Sequence, residues 1–138
     1  MTESVPPDGN DPFFFPPPTT TASDLLGEME EKQRKKLTLD SRLLATLPNC
    51  VASSVVRTCE VQARFDHRSA RIHMAGPDIL GCLPSHAVVS MGEQADVFEA
   101  CGRILDPLGA KTLGILTGLG FKSTATVSAD HIEFEVSW

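Results

Sequence analysis

The run HIEFEVSW, residues 131–138, constrains the fold more than any other part of this chain. Ile132, Phe134, Val136 and Trp138 fall on one side of it; His131, Glu133, Glu135 and Ser137 fall on the other. Successive side chains point to opposite faces along a strand, so this period of two predicts a half-buried one. KSTATVS, residues 122–128, precedes it with Ala129-Asp130 as the turn, which predicts an antiparallel hairpin. A second alternation lies upstream. In SVVRTCEVQARF, residues 54–65, Cys59, Val61, Ala63 and Phe65 alternate with Glu60, Gln62 and Arg64. In ARIHMAG, residues 70–76, Ala70, Ile72 and Met74 stand against Arg71 and His73, and DHRS reads as the turn between the two runs. This predicts a first hairpin.

A sheet with one apolar face has to bury it against something. The other periodic segments read as helices. Thr21 or Ser23 is the expected N-cap of a helix over about 23–36, with Asp24 in the first turn, where the helix dipole favours a negative charge. Leu25, Leu26 and Met29 give it an apolar stripe, and Glu28–Lys32 and Glu31–Lys35 are i,i+4 pairs. A second short helix is expected from Asp40, ending before Pro48. Within 77–91, DILGCL reads as one helical turn and HAVVSM as a short strand. EQADVFEACGRIL puts Val97, Phe98, Cys101, Ile104 and Leu105 on one helical face, and Asp106-Pro107 opens a further helix over 107–118. The order predicts an α+β fold: a single small domain over 21–138, its antiparallel sheet made of two hairpins with helices packed on one face. Residues 1–20 hold more than half of the chain's 10 prolines and are expected to form a disordered, proline-rich tail.

Composition narrows the function classes. Apolar residues make up 41% of the 138, enough for one core. The net charge of −6 argues against a general affinity for nucleic acid or for an anionic membrane. The exception is KQRKK: Lys32, Arg34, Lys35 and Lys36 read first as the cationic half of a charged helix, and as a nucleic-acid contact only in a third-ranked reading. No apolar run approaches the roughly 20 residues of a membrane span. The acidic, proline-rich start lacks the pattern of a secretory leader, so a cytoplasmic or nuclear setting is expected. Cys50, Cys59, Cys82 and Cys101 form no C-x-x-C and read as reduced, mostly buried thiols.

No motif names a chemistry. GAKT, residues 109–112, fails the phosphate-loop pattern: Ala110 precedes Lys111, and Leu105 stands where the first glycine belongs. GILTGLG, residues 114–120, reads as close helix packing followed by a glycine stop. His67, His73, His86 and His131 show no metal-ligand spacing, although His73 and His131 meet if the two hairpins are neighbours in one sheet. Ser85-His86 lacks a nucleophile elbow, and nothing singles out Cys82 or Cys101 as a nucleophile. The chain has no Tyr and one Trp, and Phe65, Phe98 and Phe134 are all expected on buried faces, which makes a reader of single-stranded nucleic acid a poor reading. No catalytic residue, metal or cofactor is assigned.

DPFFFPPPTTT, residues 11–21, remains. Prolines on both sides exclude a ladder strand. Phe13, Phe14 and Phe15 read as docking onto the domain or within an oligomer, as bait for a partner, or as part of a passive tail, with Pro16, Pro17 and Pro18 as a preformed polyproline segment. Asp11-Pro12-Phe13 resembles the tripeptides taken up by clathrin-adaptor appendage domains, and FPPPT resembles the ligands of EVH1 domains. The sequence therefore points to a non-catalytic protein-interaction or self-assembly module, of structural or adaptor type, with a viral matrix-like protein as a subcase by analogy. Its expected contacts are the sheet edge, the charged helix, the phenylalanine tail and Trp138 at the end of the last strand. The expected partner is protein: a second copy, as in a homo-oligomer, or another chain. A small-molecule or enzyme reading would place a pocket between sheet and helices and begin with Cys59, Cys101, His73 and His131.

Overall fold

A computed structural model describes residues 13–138; residues 1–12, with most of the expected tail and the first two residues of the DPF motif, lie outside it. The described residues divide after Gln33 into two units. In the first, residues 13–21 form neither helix nor strand and are exposed, and helix α1 (Ala22–Arg64) begins. Thr21 caps it: its Oγ1 accepts from the Asp24 amide at 3.2 Å, while Asp24 Oδ2 accepts from the Thr21 amide at 3.0 Å. Two amides that the first turn would otherwise leave unsatisfied are met reciprocally.

The second unit, Arg34–Trp138, holds the rest of α1 and every strand. After α1 come β1 (Ser69–Ala75), α2 (Gly76–Gly81), α3 (Ser85–Met91), α4 (Gln94–Arg103), α5 (Leu105–Gly118), β2 (Lys122–Val127) and β3 (His131–Ser137). The fold is α+β, with a three-stranded antiparallel sheet in the order β1-β3-β2. Ile132, Phe134 and Val136 of β3 are buried in one cluster with Ile79, Val97, Cys101, Leu108 and Leu116. Gly109 brings α5 close to the sheet: a Cβ there would meet Val127 Cγ2 at 3.2 Å.

The second expected hairpin is β2–β3. The first does not exist. Residues 54–65 continue α1, and β1 pairs instead with the chain's last strand. The reason lies in a spacing that runs through the same segment. Leu43, Leu47, Val51, Val55 and Cys59 recur every fourth residue and all are buried. That helical stripe outweighs an alternation whose outer members, Val61 and Phe65, are exposed. Pro48 does not end a helix; it is buried within α1, beside Leu47 and Val51. Proline removes one helical hydrogen bond and crowds the carbonyl four residues earlier, and burial of this stripe offsets that cost. HAVVSM is helix α3 rather than a strand. Phe98 as well as Phe65 is exposed, against expectation.

Helix ends follow local rules. At the end of α1, the His67 amide donates to the Gln62 carbonyl and the Asp66 amide to that of Ala63. This is a Schellman closure with Asp66 at φ 63°, a left-handed position that Asp tolerates. At the end of α5, Phe121 and Gly120 make the same pair of bonds to Leu116 and Thr117, with Gly120 at φ 92°. The glycine stop read from GILTGLG is therefore present.

Candidate functional site

The open face of the sheet carries the densest group of chemically capable side chains. Strand alternation puts Arg71 and His73 of β1, His131, Glu133 and Glu135 of β3, and Thr124 and Thr126 of β2 on it. Arg71 lies directly across from Glu135 and donates to its Oε1 at 2.6 Å; Glu133 Oε1 is 3.7 Å from Arg71 Nε. His73 and His131 are diagonal neighbours, with ring centroids 4.5 Å apart and planes inclined at 31°. The two histidines do meet, but through the pairing of β1 with β3. His131 Nδ1 lies 2.8 Å from Asp130 Oδ1. That hydrogen bond holds the Asp130 carboxyl below its ordinary range. Among the described residues, no three His, Cys, Asp or Glu side chains are grouped so as to hold a metal ion. The face is a charge-paired surface that fixes the register of β1 on β3.

Cys59, Cys82 and Cys101 are all held toward the protonated form. Burial pushes Cys101 up to about 11, and burial also raises Cys59 and Cys82. A raised thiol pKa lowers the fraction of thiolate, the form that attacks. Cys50 and Cys82 are half-buried and line one open groove of about 680 Å³ between α1, β1 and α2, together with Ser54, Arg57, His73 and Asp78. The buried interior is formed by the apolar cluster.

The residues expected to bind partners are distributed as follows. In the first unit, Phe13, Phe14, Phe15, Pro16, Pro17 and Pro18 are exposed, and so is Lys32. In the second, Arg34, Lys35 and Lys36 are exposed on α1. Trp138 is partly exposed, and its amide donates to the Arg68 carbonyl at 3.1 Å. The last strand was expected to offer an edge, but β3 is the middle strand and both its sides are taken. Among the described residues the edge strands are β1 and β2, and the pairing of β1 with β3 could be inferred only by rejecting the 54–65 strand. Arg103 of α4 reaches Asp40 of α1 through two bonds, the shorter 2.9 Å, and Glu99 at 3.2 Å. Sequence reasoning missed this link, because nothing local marks a pair 63 residues apart.

Compared with family models, with curated proteins and with solved structures, the chain matches none.

Proposed function

We propose that this chain is a non-catalytic protein-interaction and self-assembly module. One observation carries the reading. Leu25, Leu26 and Met29 lie on one side of the first turns of α1, and each is more than half exposed amid charged neighbours. Helical apolar stripes exist to be covered, and a stripe left in water marks a contact surface. Phe13 and Phe15, exposed beside Pro16–Pro18, add a second apolar surface in the same unit. Cys101, buried in the apolar cluster with its thiol pushed up to about 11, favours contact over chemistry at that residue.

The partner is protein, either a second copy or another chain, engaged through this stripe, the phenylalanine segment and a sheet edge. The test is absolute mass by light scattering during size exclusion, for the full chain, a chain starting at Thr21, and a variant with Leu25, Leu26 and Met29 changed to Ser. A discrete oligomer that dissociates in either altered form supports the reading. A monomer in every form, with no change in mass up to millimolar concentration, sinks self-assembly.

A further inference from the structure

The two free edges of the sheet differ in what they will accept. The Ser128 amide donates to the His131 carbonyl at 2.9 Å, which makes 128/131 a hydrogen-bonded pair. Hydrogen-bonded and non-bonded pairs alternate along an antiparallel ladder. Lys122, Thr124 and Thr126 therefore bond inward to Ser137, Glu135 and Glu133, and the backbone groups of Ser123, Ala125 and Val127 point outward. On β1 the Trp138–Arg68 bond fixes the phase in the same way, so Ser69, Arg71, His73 and Ala75 point outward.

Edge β1 rejects its own copy. Ala75's outward amide is already taken by Asp78 Oδ2 at 3.0 Å, and helix α2 follows at once. Antiparallel self-pairing centred on Arg71 sets Arg71 against Arg71 of the copy. Like charges directly opposite are destabilising. Charge on an edge strand is a common guard against pairing.

Edge β2 carries one charge, Lys122 at its first residue, and none at its centre. We infer that β2 pairs antiparallel with β2 of a second copy, about a two-fold axis at Ala125, to make one six-stranded sheet. In that register Ala125 faces Ala125, Ser123 faces Val127, and all three are outward-pointing residues, so about six backbone hydrogen bonds form. On the open face Thr124 meets Thr126 twice, a favourable cross-strand pair, and Lys122 meets Ser128 rather than another cation. Ser123, Ala125 and Val127 are only partly covered in the single chain. The inference deepens the self-assembly reading and rests on it, naming the contact and its register.

The test uses the full chain and three forms: wild type, Thr124→Lys with Thr126→Lys, and Thr124→Glu with Thr126→Lys. Both threonines are exposed, so each form should remain folded, checked by a urea titration at a concentration that keeps every form monomeric. Across the two-fold, Lys opposes Lys in the first variant and Glu opposes Lys in the second. Sedimentation should give at least about tenfold weaker association for the Lys/Lys form and wild-type association or better for the Glu/Lys form. Amide exchange at Ser123, Ala125 and Val127 should slow as concentration rises. An oligomer of unchanged affinity in the Lys/Lys form, with those amides indifferent to concentration, overturns the β2 interface and leaves the self-assembly reading standing. A wild-type chain that stays monomeric overturns both.

Discussion

Three phenylalanines, truncated one at a time, test the architecture directly. Phe134 is 0% exposed on β3, flanked across the ladder by Ile72 and Ala125. Removing a fully buried ring loses its transfer free energy and leaves a cavity, so Phe134→Ala should cost about 3–5 kcal/mol. Phe98 is 48% exposed and rests on Gly76, so only about half the transfer term applies, roughly 1–1.5 kcal/mol. Phe65 is 70% exposed, which leaves about 0.5–1 kcal/mol and no cavity. A domain of this size has only about 5–15 kcal/mol in total, so Phe134→Ala approaches the threshold of folding. Urea titration followed by circular dichroism, with Trp138 as the sole intrinsic tryptophan, resolves the series if the slope stays constant. The expected order is Phe134 far above Phe98, and Phe98 above Phe65. A Phe65→Ala cost equal to that of Phe134→Ala would restore a buried strand over 54–65 and refute the helix described above.

The other predictions concern the thiols, a cap and an ion pair. Under a thiol reagent at neutral pH, Cys50 and Cys82 should react first, while Cys59 and Cys101 wait for unfolding; early labelling of Cys101 would contradict its burial. Asp24 is held below its ordinary range first by its hydrogen bond from the Thr21 amide, so its charged form stabilises the helix start. That contribution is present above about pH 4 and lost as pH falls through the lowered value. Asp24→Ala should remove the acid-dependent part of the helical signal from the first turns, and an unchanged acid titration would exclude the cap. Arg103→Gln should cost about 0.5–1 kcal/mol, and a double-mutant cycle with Asp40→Asn should recover most of it as coupling.

Legibility in the sequence tracked the range of the deciding interaction. The β2–β3 hairpin and helices α4 and α5 were readable because their periodicity and stops are local: alternation in one case, a stripe and Gly120 in the other. The stretch 54–65 satisfied two periods at once. Cys59 belongs to both, and only its helical predecessors Leu43, Leu47, Val51 and Val55 break the tie, the first two of them on the far side of Pro48, which reads locally as a terminator. The meeting of His73 and His131 was anticipated, yet the partner strand of β1 was not, since 56 residues separate Ala75 from His131, its partner in the ladder. The edge that carries the proposed contact depends wholly on strand order, which no local pattern encodes.

Strand order also has a consequence for how the chain comes into being. β3 lies between β1 and β2 and is synthesised after both. During translation β1 waits with no ladder partner until residue 131 and beyond have emerged, while α1 is already complete. The sheet therefore closes late and through distant pairings, the arrangement that slows folding and prolongs the exposure of unpaired strands. A nascent chain arrested before His131 would hold two strands and no sheet, and would be a substrate for chaperones rather than a smaller version of the fold.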